Sequence, residues 1–293
     1  MLAGGTSNER EVSLRSGKAV ADALQSKGHD ITVIDPRDGL DDIGAPDAVF
    51  SALHGAGGED GTIQAALEAR GLAYIGSGVA TSALCWDKWL YRQILQAAGL
   101  PVAKGEVVTL NNIWQSSLTK KPFVLKPIQG GSTLDAYIIR NPAKADKSEL
   151  EQSLNKYGAM LLEELVVGTE LTVGVLDGEP LPVIEIVPPE DGEFDYDNKY
   201  NGKTQELCPP KSVSKDMQQH AQELALQVHE LTGARDLSRT DFMADRTGNL
   251  FILETNTLPG MTDQSLYPKA AAANGLTFPE LCDKLVQLAL ART

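Results

Sequence analysis

Two carboxylates and one amide near the C-terminal end of the chain have the types and spacing of a metal site. In SRTDFMADRTGNLFILETN (238–256), two strand-like runs flank a turn. Asp241 lies on the first run, while Glu254 and Asn256 are two apart on the second and point to one face. Such oxygen ligands suit Mg²⁺ beside substrate phosphates. The alternative is an ordinary polar hairpin, but an unpaired glutamate beside the apolar run FIL would be costly.

A second stretch, FVLKPIQGGSTLDAYII (123–139), combines a lysine with a main chain that phosphates could approach. Lys126 ends an apolar run, and two glycines and two hydroxyl residues follow it. Glycine permits close approach of a ligand to the backbone, although the spacing is not that of a Walker loop. Asp135 adds a negative charge that would repel phosphate. The stretch is therefore either a phosphate loop or a hairpin with a lysine beside it.

Other charged residues upstream could complete a nucleotide site. Lys88 starts a helical pattern, and LLEELVVGTE (161–170) resembles a strand that leads into a hinge. There Glu163 could accept a hydrogen bond from an adenine amino group, and Glu170 could hold ribose hydroxyls. A single lysine is more often a solvated surface charge. Lys126 is the exception, because a charge placed between PFVL and a proline needs a partner.

Two N-terminal motifs have both structural and functional explanations. In GGTSNEREVSL (4–14), Thr6 can cap a helix and Glu9 can complete the capping box. A helix start also offers free amide donors, so a binding role is compatible with capping. His54 precedes the glycines of HGAGGEDG (54–61), which would let a ligand approach. The alternatives for His54 are a satisfied histidine at a strand end, or one held by the acids of GEDGT.

The pattern over residues 1–87 predicts a doubly wound parallel sheet with helices. ITVID (31–35) and AVFSAL (48–53) are interpreted as buried strands, and residues 8–28 as an amphipathic helix that ends at Gly28. Such alternation is typical of α/β domains, whose ligands lie at the carboxyl ends of the strands. HGAGGEDG follows the second strand at that end.

Two α+β domains are predicted to follow, a central one over 88–166 and a C-terminal one over 167–293. One helix over 82–101, ended by Gly99 and Pro101, leads into the central domain. Short strands outnumber helices there. The C-terminal domain combines a hairpin, a long helix, the strand pair described above and a final helix, predicted at 170–187, 213–233, 238–256 and 278–292.

The net charge and the cysteine content exclude several classes of binding partner and site. A net charge of −14 and a pI near 4.7 argue against binding to nucleic acids or anionic membranes, which attract basic proteins. Cys85, Cys208 and Cys282 form no CxxC pair, which indicates neither a disulfide framework nor a zinc site and favours a reducing cytoplasm. The opening MLAGGTSNERE does not have a signal-peptide pattern, and no apolar run approaches the roughly 20 residues of a membrane span.

Several motifs together resemble the D-alanine--D-alanine ligases of the ATP-grasp superfamily. They are GGTSNEREVSLRSG, ALHGAGGEDGTIQAALE, YIGSGV, DK at 87, FDYDNKY, and SRTDFMAD with LFILETNTLPGMTDQSLYP. The match runs in order over nearly the whole chain. It implies an ATP-grasp fold, in which 1–87 precedes the two ATP-grasp domains.

The resemblance also implies ligands for individual positions. ATP would be bound by Lys88, Lys126, Glu163, Val166, Glu170 and Lys199. Asp241, Glu254 and Asn256 match the ligands of two Mg²⁺ ions, with Mn²⁺ as an alternative. The residues matching the family's catalytic and D-alanine-binding positions are Glu9, His54, Ser132, Tyr200, Arg239, Gly260, Ser265 and Leu266.

These positions have distinct roles in the family. Glu9 would hold the ammonium of the first D-alanine, with His54 near its carboxylate, and Ser132 and Tyr200 would link with Glu9 to close two loops. Arg239 would steady the acyl phosphate and the oxyanion.

The second D-alanine has its own predicted contacts in this family. The Gly260 amide would help Arg239 at the oxyanion, and Ser265 and Leu266 would bind the carboxylate of the second D-alanine. The pair Lys199 and Tyr200 favours an amine as the second substrate, because relatives that use D-lactate differ there.

The implied activity is the ATP-dependent joining of two D-alanines through an acyl phosphate, for peptidoglycan synthesis, by a cytoplasmic homodimer. One alternative is an ATP-grasp ligase that makes a different dipeptide, and another is a nucleotide-binding relative without turnover. The chain departs from the family at its first strand, of which only Met1 to Ala3 remain: either the strand is shortened or the start is truncated, and the sheet is expected to lose central hydrogen bonds. It also has Asp135 where a glycine is usual, so Asp135 must face away from the triphosphate or meet a cation.

Overall fold

The computed structural model describes residues 1–131, 135–189 and 204–292. Three of the predicted site residues, Ser132, Lys199 and Tyr200, lie outside the described residues.

Parallel pairing organises the N-terminal region, as its sequence pattern predicts. Leu2 pairs with Ile34 on one side and with Ser51 on the other, and Val49 pairs with Tyr74, all in parallel. Leu2 is fully buried, so the short segment 1–3 occupies an interior position in this sheet despite its length. The helices of this region are α1 (Arg10–Ser26), α2 (Thr62–Glu68) and α3 (Val79–Trp86).

Glycine at position 17 lets α1 pack directly on this sheet. A Cβ atom at Gly17 would lie 2.3 Å from the Cβ of Ala3, a distance that no real pair of carbons tolerates. Val20 and Leu24, further along the helix, are buried in the same layer. The helix ends at Ser26, and Gly28 follows with a φ of +92°, which confirms the predicted stop.

Three local predictions for the N-terminal half are wrong. The segment 31–35 is not a buried strand: Val33 is 56% exposed, because the segment pairs through Ile34 on one side and faces solvent on the other. The capping box at Thr6 does not form; α1 begins after Glu9, whose amide donates to Ser7 Oγ at 3.2 Å. The single helix predicted over 82–101 is interrupted after α3.

Asp87 causes the interruption. Its extended backbone ends α3, and its side chain accepts hydrogen bonds from the Trp89 and Leu90 amides, at 3.1 and 2.9 Å, to start α4 (Lys88–Ala97). An aspartate at an N-cap satisfies amides that a helix start leaves unpaired. The new start brings Lys88 into the first turn of a helix.

In the described part of the chain, an antiparallel sheet of four strands forms the central region. Its strands are β1 (Gly105–Val108), β2 (Phe123–Pro127), β3 (Tyr137–Ile139) and β4 (Met160–Glu164), in the order β1-β4-β2-β3. Helix α5 (Lys147–Tyr157) covers one face, where Leu150 and Leu154 pack with Phe123 and Leu125 in a hydrophobic core.

The C-terminal region contains a larger antiparallel sheet, with six strands among the residues that the structure describes. Along its main path the order is β10-β9-β5-β7-β8, and β6 pairs with β5. The bounds are β5 (Gly168–Leu176), β6 (Glu179–Pro180), β7 (Ile184–Val187), β8 (Gln205–Leu207), β9 (Leu237–Asp245) and β10 (Leu250–Asn256). This sheet confirms the predicted hairpins at 170–187 and 238–256.

Helices cover the sheet and connect it to the N-terminal region. They are α6 (Lys215–Thr232), α7 (Leu266–Ala273) and α8 (Phe278–Leu290). Leu224 of α6 and Tyr91 of α4 share one hydrophobic cluster with β5 and β9. Leu285 of α8 and Leu24 of α1 share another, which joins the two ends of the chain. Within the described residues, no helix has the length and apolar character needed to cross a bilayer.

Candidate active site

A cavity of about 780 Å³ lies between the central sheet and the C-terminal sheet. Apolar side chains from both sheets line it, including Val124, Ile138, Met243 and Ile252, which suits a flat aromatic ring. The predicted site residues that line this cavity are Glu9, Lys88, Lys126, Glu163, Val166, Glu170, Asp241 and Glu254. The fold therefore brings together side chains that are up to 245 positions apart in the sequence, from Glu9 to Glu254.

Lys88 lies at the start of α4, and its side chain reaches the segment that follows β2. Its amide donates to the Ile128 carbonyl at 2.9 Å, and its Nζ donates to the Gly130 carbonyl. The Nζ atom is also 3.8 Å from Glu254 Oε2. Burial lowers the pKa of Lys88, and the charge of Glu254 opposes that shift. Lys88 is thus a buried cation at the edge of the glycine pair.

Lys126 has the partner that its apolar setting requires. Its Nζ is 2.6 Å from Glu163 Oε2, and Arg92 Nη1 donates to Glu163 Oε1 at 2.9 Å. Lys126 on β2 and Glu163 on β4 share a face of the central sheet, and Arg92 comes from α4. All three side chains are at most 15% exposed. The two cations hold both carboxylate oxygens of Glu163 at the cavity wall.

Sequence reasoning missed Arg92. A signal was available, because Arg92 is four residues after Lys88, and residues four apart lie on the same face of a helix. Sequence reasoning predicted one continuous helix over 82–101. It therefore did not treat Lys88 as the start of a new helix whose next turn carries Arg92. Arg92 also donates to the Ala103 carbonyl, which fixes its position beneath the site.

The strand pair β9 and β10 presents four polar side chains on one face. Asp241 lies directly opposite Glu254, and Arg239 lies opposite Asn256. Asn256 Nδ2 donates to Asp241 Oδ2 at 3.2 Å. Arg239 donates to both oxygens of Asp241, at 2.9 and 2.8 Å. Burial acts to lower the pKa of Arg239, but Asp241 outweighs it and raises that pKa above its usual value.

This donor set fits a hard divalent cation. Asp241 and Glu254 offer anionic carboxylate oxygens, and Asn256 offers a neutral amide oxygen. Mg²⁺ prefers oxygen ligands of these kinds. Within residues 1–131, 135–189 and 204–292, no group of three or more His, Cys, Asp or Glu side chains has the arrangement of a complete metal cage. A site with two carboxylates therefore leaves coordination positions for phosphate oxygens and water, as Mg²⁺ sites on nucleotides do.

Glu9 lies between two glycines from different parts of the chain. A Cβ at Gly55 would be 2.8 Å from Glu9 Oε2, and a Cβ at Gly131 would be 3.3 Å from it. Both glycines thus allow the backbone to approach this carboxylate closely. Glu9 is 9% exposed, so the N-terminal region contributes a buried acid to the cavity.

His54 is buried behind this acid. Its Nε2 is 3.2 Å from Ser16 Oγ on α1, and its carbonyl accepts a hydrogen bond from Ser7 Oγ at 2.6 Å. The acids of GEDGT are bonded elsewhere: Glu59 accepts from the Gly55 amide at 2.7 Å. Burial, with the charge of Arg239, lowers the pKa of His54 to about 4. His54 is therefore neutral at pH 7.

Lowering the pH should destabilise the folded protein, because His54 is buried in its neutral form. The folded pKa lies below that of the unfolded chain, so between about pH 6.5 and pH 4 the unfolded state binds the extra proton. The free energy of unfolding should fall over this range by up to about 3 kcal/mol more in the wild type than in His54→Gln. Urea titrations at pH 7, 5.5 and 4.5 measure it, with exposed His220 as the control in His220→Gln. Parallel pH profiles for wild type and His54→Gln would contradict it.

Glu59 is a second residue that sequence reasoning did not place in the site. Burial and the nearby charge of Glu9 raise its pKa to about 8. Glu59 lines a smaller cavity beside the main one, together with Lys88, Glu254 and Asn256. Its signal in the sequence was the acid in HGAGGEDG, at the carboxyl end of a predicted strand.

The remaining predicted residues are Ser265 and Leu266, at the start of α7, and Gly260, in the segment before it. Ser265 is the residue before the helix, and Leu266 is its first residue. A Cβ at Gly260 would be 2.9 Å from Ser265 Oγ, so Gly260 and Ser265 are neighbours. The Leu266 side chain packs on the C-terminal core, which leaves its backbone as the part that could contact a ligand. Gly260, Ser265 and Leu266 do not line either of the two cavities that the described residues form.

Chemically, the arrangement suits the binding of a polyanion beside a reacting carboxylate. Lys88 and Lys126 supply buried positive charge, and Arg239 adds a third cation on the C-terminal sheet. Asp241 and Glu254 supply oxygen ligands for a cation between them and a phosphate. Glu9 supplies a carboxylate that could bind an ammonium group. Positioning and charge neutralisation of this kind are the main elements of phosphoryl-transfer catalysis.

Comparisons with known sequences agree with this chemistry. Family models described as D-ala D-ala ligase N-terminus and D-ala D-ala ligase C-terminus match residues 35–77 and 94–287. The D-alanine--D-alanine ligase of Gluconobacter oxydans (strain 621H) is 42% identical over 300 residues, which cover 100% of this chain and 99% of that relative. That of Haemophilus influenzae (strain PittEE) is 42% identical over 302 residues, covering 99% and 100%.

Solved structures show the same architecture. The D-alanine--D-alanine ligase of Bacillus anthracis superposes with a TM-score of 0.86 at 29% identity, covering 99% of this chain and 96% of that one. Its structure complexed with ATP gives a TM-score of 0.84 at 28% identity, with the same coverage. The fold is thus that of the ATP-grasp ligases, as predicted. With full-length relatives at about 40% identity and both family models matched, this chain belongs to the D-alanine--D-alanine ligase family.

Proposed function

We propose that this protein uses ATP to join two D-alanine molecules into D-alanyl-D-alanine for peptidoglycan precursor synthesis. The observation that carries the proposal is the convergence, around one cavity, of Lys88, Lys126 and Glu9 with the acids of the strand pair. Membership of the ligase family supports the choice of D-alanine.

ATP is proposed to occupy the cavity between the two sheets. The apolar walls would hold the adenine, Glu163 would accept from its amino group, and the Val166 backbone would contact the ring. Glu170 would bind the ribose. The ion pairs of Glu163 with Lys126 and Arg92 support this assignment, because they orient a carboxylate before the nucleotide arrives.

Lys88 and Lys126 are proposed to contact the phosphates. Asp241, Glu254 and Asn256 would hold two Mg²⁺ ions, or Mn²⁺ in their place, with the phosphate oxygens. When bound, these ions would neutralise phosphate charge and make the γ-phosphorus more electrophilic. The loss of solvent from a buried cluster of cations strengthens every such interaction.

In the first step, the carboxylate of one D-alanine attacks the γ-phosphorus. The bond from that phosphorus to the bridging oxygen breaks, ADP leaves, and an acyl phosphate forms. Glu9 is proposed to bind the ammonium of this D-alanine, and neutral His54 to lie near its carboxylate. Both are buried, so they would present fixed geometry to the substrate.

In the second step, the free amine of the other D-alanine attacks the acyl carbon. The carbonyl oxygen becomes an oxyanion, which Arg239 and the Gly260 amide would stabilise. Phosphate then leaves with one oxygen of the original carboxylate, and the amine loses a proton. Ser265 and Leu266 are proposed to bind the carboxylate of this second D-alanine. The roles of Ser132, Lys199 and Tyr200 in closing the site stay predictions.

The proposal also includes a cytoplasmic homodimer, in line with thiol cysteines and with the resemblance noted above. Cell fractionation and light scattering would measure these two properties independently of the activity.

Phosphate release from ATP and Mg²⁺ over a panel of D- and L-amino acids tests the proposed substrate. We expect strong release with D-alanine and little with L-alanine, because the predicted contacts hold the ammonium and the carboxylate, and the methyl group of L-alanine would then point where D-alanine has its α-hydrogen. A response to other amino acids without one to D-alanine would assign a different dipeptide. Nucleotide binding without turnover on any pair would reject the ligase activity altogether.

A further inference from the structure

Asp135, the residue that departs from the family pattern, is held by two side chains of one helix. Its Oδ2 accepts a hydrogen bond from Lys156 Nζ at 2.5 Å and another from the Tyr157 hydroxyl. Lys156 Nζ also lies 4.8 Å from the centre of the Tyr157 ring. The hydrogen bonds from Lys156 and Tyr157 lower the pKa of Asp135, so it is ionised at pH 7. We call these three residues the Asp135 latch.

The backbone at Asp135 also suits this contact. Its φ is +55°, in the left-handed region that glycine, asparagine and aspartate adopt most readily. Asparagine and glycine can therefore replace Asp135 without new backbone strain. Those two substitutions separate the role of the carboxylate from the role of the main chain.

The latch joins a rigid helix to the wall of the cavity. Lys156 and Tyr157 are the last two residues of α5, whose Leu150 and Leu154 are buried in the central core. A lysine in the last turn is also favoured by the partial negative charge at the C-terminal end of a helix. The helix end is thus a fixed support for Asp135.

One residue of the latch and several residues near Asp135 in the sequence line the 780 Å³ cavity. Tyr157, Ala136 and Ile138 form part of its wall. Gly130, on the same wall, is held through its carbonyl by Lys88. The described ends of the glycine-rich stretch are therefore tied to two different helices, one end to α4 and the other to α5.

We propose that the Asp135 latch is a positioning device for nucleotide binding, which holds the wall formed by Tyr157, Ala136 and Ile138 ready for ATP. The inference rests on the proposed function, since it takes ATP as the ligand. A wall that is ordered beforehand spares the ligand the entropy of ordering it. Lys156 neutralises the carboxylate, so Asp135 does not repel the triphosphate. The expected effect of removing it is therefore weaker ATP binding.

Binding of AMP-PNP, an ATP analogue that is not hydrolysed, tests the latch by calorimetry with Mg²⁺. Asp135→Asn, Asp135→Gly and Lys156→Met should each raise the Kd by about twofold to fivefold, because the Lys156 and Asp135 side chains are 62% and 35% exposed and solvent weakens an ion pair exposed to this degree. The double variant Asp135→Asn with Lys156→Met should bind no more weakly than either single variant, because both remove the same contact. In turnover, the KM for ATP should rise while kcat changes by less than about twofold.

Asp177 provides a matched control. It also has a left-handed backbone, with φ +56°, and pairs with a lysine, Lys284, at 3.0 Å. It lies in the turn between β5 and β6, away from the residues that line the cavity. Asp177→Asn and Asp177→Gly should leave the Kd for AMP-PNP unchanged, even where they alter thermal stability.

Two results for Asp135→Gly would overturn the latch. One is a Kd for Asp135→Gly within about twofold of the wild type, and the other is tighter binding, which would mean that the aspartate repels the triphosphate. Additive losses in the double variant would also count against it. If the wild type itself does not bind AMP-PNP, the proposed function fails as well. If the wild type binds and turns over but the variants match it, only the latch fails.

Discussion

Glu254→Gln is expected to lower the kcat for ligation by about two orders of magnitude or more, the scale seen when a metal-binding carboxylate or its support is lost. Glu254 lies opposite Asp241 and 3.8 Å from Lys88, so the substitution would remove both the proposed metal ligand and the negative charge beside Lys88. Glutamine keeps the shape but not the charge. The concentration of Mg²⁺ that gives half-maximal activity should therefore rise as well.

A second strand glutamate, outside the cavities, is the control that separates the loss of kcat from a general effect of removing a negative charge. Glu206 on β8 pairs with Lys269 at 2.6 Å and is absent from the lining of both cavities. Glu206→Gln should retain kcat and the Mg²⁺ dependence of the wild type. A kcat for Glu254→Gln within about threefold of the wild type, with unchanged Mg²⁺ dependence, would remove Glu254 from the metal site.

Glu163→Gln should give the largest loss of stability among the site substitutions. It leaves the Lys126 and Arg92 cations buried without their shared anion. Breaking a buried ion pair from one side costs about 3 to 5 kcal/mol, since the remaining charge is uncompensated. We expect a fall of about 3 kcal/mol in the free energy of unfolding, measured by urea titration.

The neighbouring glutamate is the control for this prediction. Glu164 Oε1 is 3.9 Å from Lys121, and both side chains are more than a third exposed, at 37% and 68%. Solvent screening makes such a pair worth little, so Glu164→Gln should change stability by less than about 1 kcal/mol. Equal losses in the two variants would show that Glu163 does not carry the charge of this cluster. Adding Lys126→Met to Glu163→Gln should recover part of the loss by removing one uncompensated cation.

Patterns within one element, and the pairing of strands that follow each other along the chain, were predictable from the sequence. The antiparallel partners β9 and β10 follow from alternation around a turn, and the opposed positions of Asp241 and Glu254 confirm the predicted shared face. The antiparallel central sheet and the parallel N-terminal pairing follow from the order of strands and helices.

Side-chain contacts between elements far apart in the sequence were not predictable in the same way. Nothing local to Glu163 indicates that Arg92, 71 positions earlier, will share it with Lys126. The helix breaks at Asp87 because the Asp87 side chain caps a new helix. Such a cap stabilises the helix start by about 1 kcal/mol, and the spacing of apolar residues gives no sign of it. Similarly, ITVID has the composition of a buried strand, and only its place at one side of the sheet exposes Val33.

Asp135 illustrates the same limit. Its charge is visible in the sequence as an obstacle to phosphate, but its effect depends on where the side chain points. Lys156 and Tyr157 follow it by 21 and 22 positions, across β3 and α5, and turn the carboxylate toward the helix end. Of the two alternatives that the sequence left open, the structure shows a carboxylate that meets a cation.

Oxygen transfer during turnover tests the central claim most directly. The protein would be supplied with ATP, Mg²⁺ and D-alanine labelled with ¹⁸O in both carboxylate oxygens, and the phosphate and dipeptide would be analysed by mass spectrometry. Attack by the carboxylate on the γ-phosphorus predicts one ¹⁸O atom in each phosphate released and one D-alanyl-D-alanine per phosphate. Unlabelled phosphate would contradict the account, because it would show that water, and not D-alanine, attacks ATP in this site.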